Sequence, residues 1–229
     1  MISIIIPVLN EAETIEELLH HLIDNASLEN ITEIIVVDGG STDGTQDLVI
    51  NLGLNVRLIS SQKGRAKQMN TGAKASKGTI LYFLHADSFP PNRYDAFIIQ
   101  EYHKNNLAGC FRLRFDNDHW WLRLASWLTQ FSWRACRGGD QSQFITKDLF
   151  NDIGGFDESY IIYEDNILIN ELFARKEFVV INKEIRTSAR LYERHGVWKL
   201  QYHFWTIYVK KWFGASADDL LSYYKKHIA

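Results

Sequence analysis

An apolar run in the first half of the chain ends in two side chains that could bind a metal ion. Residues 79–84 are aliphatic and aromatic and follow Gly78, which is typical of a short strand buried on both faces. His85 and Asp87 come directly after this run. Because ligands of open α/β sheets bind outside the carboxyl ends of the strands, we expect both side chains to face a ligand crevice. The alternative is that His85 hydrogen-bonds a loop while Asp87 caps the next helix.

The chemistry of these two residues suits a divalent cation beside a diphosphate. Ions that bridge diphosphate oxygens take oxygen ligands, and the substrate and water fill the positions that the protein leaves open. An imidazole suits Mn²⁺ better than Mg²⁺. If these side chains bind a metal ion, Mn²⁺ or Mg²⁺ held by Asp87 and His85 is the expected cofactor.

A basic turn precedes the same strand. Lys63, Arg65 and Lys67 surround a predicted helix start, where free backbone N–H groups and the helix dipole already favour anions. These residues could hold a phosphate. A solvated basic helix end would show the same pattern.

A carboxylate and two glycines follow another predicted strand. Asp38 comes after the strand at 33–37 and precedes Gly39, Gly40 and Ser41. The glycines would let a ligand approach the backbone, and the carboxylate could accept a hydrogen bond from a nucleoside base or a ribose hydroxyl. A strand-to-helix turn with Ser41 or Thr42 as N-cap would look the same. No G-x-G-x-x-G or G-x-x-x-x-G-K-[ST] pattern is present, which argues against dinucleotide-binding and P-loop sites.

Two adjacent carboxylates, Glu164 and Asp165, begin a predicted helix at 164–176. Each would disfavour ionisation of the other, and a general base benefits from such a neighbour. Acids also occur at helix N-termini simply because the dipole favours them. Two Gly-Gly turns, at 138–141 and 154–157, have an acid nearby, but ordinary turn chemistry explains them adequately.

A parallel sheet is the element that would bring these residues together. Apolar strand patterns alternate with helical spacing in the first 90 residues, which indicates the α/β class, with a mainly parallel sheet and helices on both faces. Asn10, with Glu13 three residues later, predicts a capping box at the first helix. Beyond residue 90 the alternation loosens. The predicted strands are 2–8, 33–37, 56–60, 79–84, 108–115, 143–146 and 178–181, and the later helices are 119–133, 164–176 and 197–213.

The composition restricts the class of partner. The 229 residues carry 25 basic and 28 acidic side chains, a formal charge of -3, which argues against a nucleic-acid-binding surface. Cys110 and Cys136 form no CxxC pattern, which argues against a disulfide framework or a zinc site. The chain shows neither a basic signal-peptide start nor about 18 uninterrupted apolar residues. A reduced, cytosolic protein with a small-molecule ligand is expected.

All seven tryptophans lie beyond residue 119. Between 196 and 213, apolar side chains recur at steps of four and three, accompanied by Lys199, Lys210 and Lys211 and by no acid. Such a helix suits a membrane interface. It suits packing in the core or against a second copy equally well. The stripe consists of Trp198, Tyr202, Trp205, Val209 and Trp212.

In combination, these segments resemble the family 2 glycosyltransferases, which have the GT-A (Rossmann-like) fold. The match runs in order from residue 2 to about residue 190. Gly64-Arg65-Ala66, His85-Ala86-Asp87, Gly139-Asp140-Gln141 and the segment 187–190 are similar to short bacterial members. The segments that carry the resemblance are 7–11, 37–45, 64–66, 84–87, 154–156 and 164–165.

The resemblance implies an enzyme that moves a sugar from a UDP- or GDP-linked donor to the hydroxyl of a small-molecule or lipid-linked acceptor. Inversion is implied because the family uses a single displacement. Asp165 would take the acceptor proton, with Glu164 beside it, and Asp87 would hold the metal. The nucleotide-binding residues would be Pro7, Asn10, Glu11, Asp38, Ser41, Arg65 and Gln68. The acceptor and sugar pocket would contain Asp140, Gly154, Gly155 and Phe156.

One position departs from the family pattern. Members usually carry Asp-x-Asp, whereas His85 stands where the first acid is expected. A neutral imidazole brings no charge toward the diphosphate, so Lys63 and Arg65 would share that task.

The resemblance also divides the chain. A glycosyltransferase domain would span 1–190, with a nucleotide-binding half at 1–90 and an acceptor half at 91–190, and an amphipathic helical extension would span 191–229. The expected location is the cytoplasm, with the inner face of the membrane or a homodimer as contacts of the 196–213 helix. A nucleotidyltransferase is an alternative, but it would carry a Gly-rich basic segment where 7–11 is acidic. A non-catalytic nucleotide-binding or interaction protein is the other alternative, and donor binding without transfer would identify it.

Overall fold

In the computed structural model, which describes residues 1–138 and 141–228, helices flank one mixed sheet of eight strands. The strands are β1 (Ile2–Val8), β2 (Ile31–Asp38), β3 (Val56–Ser60), β4 (Ile80–Phe83), β5 (Ser88–Phe89), β6 (Ala108–Phe115), β7 (Gln143–Thr146) and β8 (Val179–Thr187). The helices are α1 (Ile15–Asp24), α2 (Thr45–Asn51), α3 (Arg65–Ala75), α4 (Tyr94–His103), α5 (Trp120–Leu128), α6 (Lys147–Ile153), α7 (Glu164–Ala174), α8 (Arg190–His195), α9 (Val197–Trp212) and α10 (Ala217–His227).

The strand order is β3-β2-β1-β4-β7-β6-β8-β5. The first four strands run parallel to one another, β7 pairs antiparallel to both β4 and β6, and β6 pairs parallel to β8. The mixed, mainly parallel sheet expected from the sequence is thereby confirmed. Val8 lies opposite Asp38, and Asp38 opposite Ser60, so the carboxyl ends of β1, β2 and β3 meet at one edge.

Helices cover both faces of the sheet because the side chains of its strands alternate between two cores. Ile4 and Ile6 of β1 pack with α1, whereas Ile5 packs on the opposite face with Met69 of α3. Helix α3 can lie close to the sheet because Gly72 has no side chain, since a Cβ atom there would come within 2.5 Å of Ile5. This close approach fixes the start of α3 beside the edge where the strands end.

Several element boundaries differ from the sequence predictions. The capping box at Asn10 is wrong, because α1 begins at Ile15 after Thr14, and the Asn10 Oδ1 atom instead accepts a hydrogen bond from the Thr42 N–H at 2.8 Å. Helix α2 begins at Thr45, so neither Ser41 nor Thr42 caps it. The helix predicted at 119–133 ends at Leu128, and a short 3-10 helix, Arg134–Cys136, follows.

The C-terminal helices pack around a third core. Leu200, Ile207 and Leu220 are buried there against Leu122 of α5. The aromatic stripe of α9 lies on the opposite side of the helix and is exposed, so this stripe does not pack in the chain's own core. Among the described residues, no helix combines the length and apolar character needed to cross a bilayer.

Candidate active site

A cavity of about 620 Å³ opens at the carboxyl ends of β1 and β4. The segments after these two strands, the start of α3, and the C-terminal segment from Thr187 onward form its walls. Six of the predicted site residues line this cavity: Pro7, Glu11, Arg65, Gln68, His85 and Asp87. The crevice expected beyond the strand that ends before His85 is therefore present, and it joins the predicted metal and nucleotide positions.

Arg190 bridges two acids on the cavity wall. Its Nη2 atom lies 2.9 Å from Glu11 Oε1 and 3.5 Å from Asp87 Oδ2. Burial raises the pKa of the Asp87 carboxyl; the Arg190 charge opposes this increase, and the Glu11 charge adds to it. Hydrogen bonding to Glu11 raises the pKa of Arg190 above its usual value. The guanidinium stays charged and offsets part of the negative charge at this end of the cavity.

Asp38 holds the loop after β2 together. Its Oδ2 atom accepts hydrogen bonds from the Gly40 N–H at 2.8 Å and from Gln46 Nε2 at 2.7 Å. Burial opposes ionisation, but the hydrogen bonds from Ser41, Gly40 and Gln46 outweigh it and lower the pKa of Asp38. Asn10 joins the same loop, because its N–H donates to Ser41 Oγ at 2.9 Å. The structure brings these predicted nucleotide residues together beside the cavity, though Asn10, Asp38 and Ser41 are not among its lining residues.

Gln68 connects the ends of two parallel strands from the first turn of α3. Its Nε2 atom donates to the carbonyl oxygens of Val8 and Val37, both at 2.8 Å. A Cβ atom on Gly39 would come within 2.9 Å of Gln68 Oε1, so Gly39 allows this side chain to fit. Gln68 therefore fixes the shape of the cavity floor in addition to lining it.

An ion pair connects the start of α7 to a residue of the cavity wall. Glu164 is fully buried, and its Oε1 atom lies 2.8 Å from Arg65 Nε on the cavity wall. Within the described chain, Oε2 of Glu164 has no hydrogen-bond partner. Asp165 follows it and is 8% exposed, but neither carboxylate is among the lining residues. Two adjacent acids are thus buried at a helix N-terminus, where the dipole favours negative charge.

The turn 154–156 lies away from the cavity lining. Gly154 and Gly155 have φ values of 93° and 80°, and Asn70 of α3 holds the turn through hydrogen bonds of 3.0 and 2.9 Å with the N–H and carbonyl of Phe156. The Phe156 ring is buried against Phe83, with centroids 5.0 Å apart. Asp140, the fourth residue predicted for the sugar and acceptor pocket, lies outside the described residues.

The possible metal ligands around Asp87 suit an ion whose remaining ligands come from the substrate. Among the described residues, no three His, Cys, Asp or Glu side chains are grouped to hold an ion. Asp87 and His85 both line the cavity. Mg²⁺-type sites often use one or two carboxylates, with phosphate oxygens and water in the other positions. The residues present therefore fit an ion shared with a diphosphate and do not form a complete protein cage.

The sequence analysis missed the C-terminal wall of the cavity. Tyr192 of α8 and Phe204 of α9 line it together with Arg190. Arg190 belongs to the 187–190 segment that contributed to the resemblance, which was a usable signal. For the two aromatic residues there was none, because nothing in the local spacing places α8 and α9 over the ends of distant strands.

The chain matches known proteins in sequence. Residues 3–157 match the family described as Glycosyl transferase family 2. The chain is 30% identical over 175 residues to the PGL/p-HBAD biosynthesis glycosyltransferase of Mycobacterium bovis, covering 72% of this chain and 66% of that protein. It is 25% identical over 154 residues to the undecaprenyl-phosphate 4-deoxy-4-formamido-L-arabinose transferase of Aeromonas hydrophila, covering 63% of this chain and 46% of that protein.

A solved structure shows the same fold. The mannosyltransferase PcManGT from Pyrobaculum calidifontis, in complex with GDP-Man and Mn²⁺, superposes with a TM-score of 0.68 at 20% identity, covering 98% of this chain and 63% of that chain. This likeness confirms the expected GT-A fold. The chain spans at most about two thirds of the length of the curated relatives it matches.

Proposed function

Because this chain belongs to glycosyl transferase family 2, we propose that it moves a sugar from a nucleotide-diphosphate sugar to an acceptor hydroxyl and inverts the anomeric carbon. The observation that carries the proposal is the cavity at the carboxyl ends of β1 and β4, which Asp87 and Arg65 both line, with buried Glu164 paired to Arg65. A donor diphosphate placed between them would have a carboxylate for a metal on one side and cations on the other.

The donor half of the site is the loop system around β1 and β2. Pro7 and Glu11 line the cavity, while Asn10, Asp38 and Ser41 hold the neighbouring loop in shape. The likeness to a structure bound to GDP-Man supports a nucleotide sugar in this position. We propose a UDP- or GDP-linked donor, with Arg65 and Gln68 toward the base or diphosphate.

The chemistry requires one proton transfer and one displacement. Asp165 would accept the proton of the acceptor hydroxyl, with Glu164 holding Arg65 beside it. The acceptor oxygen would then bond to the anomeric carbon as the bond to the diphosphate oxygen breaks, so the configuration inverts. Asp87, with His85 beside it, would hold Mn²⁺ or Mg²⁺, which supplies positive charge to the leaving diphosphate. Lys63 and Arg65 would supply further positive charge.

The acceptor half would involve the turn 154–156, which lies behind α3. Gly154, Gly155 and Phe156 support α3 through Asn70, so their influence on the acceptor pocket would pass through that helix. A relative named as an undecaprenyl-phosphate transferase supports a lipid-linked acceptor over a small molecule. The 196–213 segment would then contact a membrane or a second copy of the chain.

Asp165→Asn tests the assignment of the base. Turnover should fall by about 10²- to 10⁴-fold, because that is the usual contribution of a general base, while donor binding measured by calorimetry should persist. Asp148→Asn is the matched control, since Asp148 is an exposed acid in the first turn of α6. A panel of nucleotide sugars and candidate acceptors would be assayed by product analysis.

Near-normal turnover of Asp165→Asn on the true substrate would show that the assignment is wrong. Donor binding without transfer to any acceptor in the wild-type chain would favour the non-catalytic nucleotide-binding alternative. Release of pyrophosphate with transfer of a nucleotidyl group would favour the nucleotidyltransferase.

A further inference from the structure

Exposed apolar side chains are concentrated on two neighbouring segments. Of the sixteen large apolar residues that are exposed in the described chain, ten lie between 120 and 133 or between 198 and 213. A monomeric protein exposes single apolar residues commonly, but a contiguous patch of this kind marks an interaction surface. The ten are Trp120, Leu124, Trp127, Trp133, Trp198, Tyr202, Trp205, Val209, Trp212 and Phe213.

The two segments meet where the first turn of α5 packs against the first half of α9. The rings of Trp120 and Trp198 are 5.6 Å apart, and those of Trp121 and Trp205 are 5.7 Å apart. Trp121 Nε1 also donates to Gln201 Oε1 at 3.0 Å. We call the ten exposed residues above, which lie on α5, on α9 and on the segments that follow these helices, the aromatic face.

Both helices present an exposed apolar stripe. In α5 the positions 120, 124 and 127 repeat at steps of four and three, and in α9 the positions 198, 202, 205, 209 and 212 do the same. The opposite sides of the helices are occupied, since Leu122, Leu200 and Ile207 are buried in the third core. The aromatic face is therefore a fixed outer layer of the fold.

The two segments that carry the aromatic face hold basic side chains and no acid, although Asp219 of α10 lies beside Lys210 and Phe213 at one end. Segments 119–138 and 196–217 contain no Asp or Glu, although the whole chain has a formal charge of -3. Arg123, Arg134, Lys199 and Lys210 stand on these segments. A surface with this charge is complementary to an anionic partner.

A bilayer surface fits these properties better than a second copy does. A two-fold dimer would place the same patch against itself, so its cations would face one another without an acid in either segment to pair with. Trp and Tyr are enriched at the level of lipid headgroups, and lysines beside an apolar helical stripe favour anionic lipids. We infer that the aromatic face docks the protein on the surface of a bilayer that contains anionic lipid.

The cavity lies next to this docking surface. Phe204 of α9 forms part of the cavity wall, and Ile161 and Leu191 are both exposed apolar residues and lining residues. A docked molecule would hold the cavity close to the lipid headgroups. This last step rests on the proposed function, because it would bring a lipid-linked acceptor within reach; the docking itself does not depend on it.

Vesicle flotation with the full chain tests the proposal without donor or acceptor. We expect binding to vesicles of phosphatidylcholine with phosphatidylglycerol, weaker binding to phosphatidylcholine alone, and a decrease at high salt. Tryptophan fluorescence should be quenched by brominated lipid chains, since the rings would sit at the headgroup and upper acyl level. Binding to both vesicle types with equal strength would contradict the charge argument.

Three variants distinguish the contributions of α9 and α5 to vesicle binding from a general effect of replacing exposed apolar side chains. Tyr202→Ser/Val209→Ser/Trp212→Ser changes α9, and Leu124→Ser/Trp127→Ser changes α5. The control, Leu28→Ser/Ile50→Ser/Tyr102→Ser, changes side chains that are 70%, 64% and 39% exposed outside the aromatic face. The α9 variant should lower vesicle affinity by more than about tenfold, because three apolar side chains no longer leave water.

The α5 variant should also lower affinity, and the control should bind as the wild type does. Circular dichroism and thermal unfolding would confirm that all variants fold. No vesicle binding by the wild-type chain, together with a stable dimer in sedimentation that the α9 variant abolishes, would overturn the proposal in favour of a second copy. Vesicle binding without sugar transfer would instead leave the docking intact and count against the proposed enzyme.

Discussion

Arg190 offers the sharpest test of charge balance in the cavity, because it contacts both Glu11 and Asp87. Burial raises the pKa of Asp87, and the Arg190 charge opposes that increase. Arg190→Gln removes the opposing charge, so the pKa of Asp87 should rise further and a smaller ionised fraction would be present at mildly acid pH. Donor binding in the presence of Mn²⁺ should therefore need a higher pH to reach half of its maximum.

Calorimetric titration across about pH 4 to 7 would measure this shift. Arg175→Gln is the control, because Arg175 is also paired with two acids, Glu171 and Asp152, but belongs to the far end of α7. If Arg190→Gln reached half-maximal donor binding at the same pH as the wild type, the ionisation of Asp87 would not limit binding.

At the residue scale, the sequence predicted which residues line the cavity better than it predicted which residues contact one another. His85, Asp87 and Arg65 were assigned from strand ends and helix starts, and all three line the cavity. The contacts of Arg190 with Glu11 join residues 179 positions apart, and no local pattern encodes such a distance. Gln68 was expected near the base or diphosphate and lines the cavity, but its hydrogen bonds to two backbone carbonyls were not foreseen.

At the element scale, the ion pair between Arg65 and Glu164 connects the starts of α3 and α7. Because Glu164 is fully buried, Arg65→Gln would leave its charge without this partner, and we expect a loss of about 1–3 kcal/mol in the free energy of unfolding. Arg65→Gln/Glu164→Gln should recover part of that loss. Denaturant unfolding of the two single variants and the double variant would give a coupling energy of about 1–3 kcal/mol.

A second pair provides the matched control for this cycle. Arg175 and Glu171 lie 2.7 Å apart on the surface of α7, and an exposed pair of this spacing should couple by less than about 0.5 kcal/mol. Equal coupling in the two cycles would mean that burial of Glu164 contributes nothing to the connection between α3 and α7.

The helices and strands were predictable where buried side chains recur along the sequence with a clear period. Strands β1, β3, β6 and β7 have the predicted bounds, because their apolar runs are short and end at polar or turn residues. Helices α6 and α10 were missed because each has a single buried side chain, Phe150 in α6 and Leu220 in α10. The capping box at Asn10 failed because its side chain binds the loop after β2 instead.

At the scale of the whole molecule, the cavity depends on parts of the chain that are far apart in sequence. The loop after β1, the end of β4 and the C-terminal helices α8 and α9 each form a wall. The predicted extension at 191–229 therefore contributes to the site as well as carrying part of the aromatic face. Its removal would expose the third core and open the cavity together, so surface substitutions separate docking from catalysis better than truncation does.

A ligand that contacts all of these walls should stabilise the whole fold, because the site exists only in the native state. At a donor concentration about a hundredfold above Kd, the gain is about 2.7 kcal/mol, which corresponds to a rise of about 5–10 °C in Tm for a chain of this size. We expect the rise with a UDP- or GDP-sugar to be larger with Mn²⁺ than with a chelator. Asp87→Ala should lose the metal-dependent part, and Asp148→Asn should keep it. Equal shifts with Mn²⁺ and chelator in the wild-type chain would remove the metal from the proposed mechanism, because an ion shared with the diphosphate must tighten donor binding.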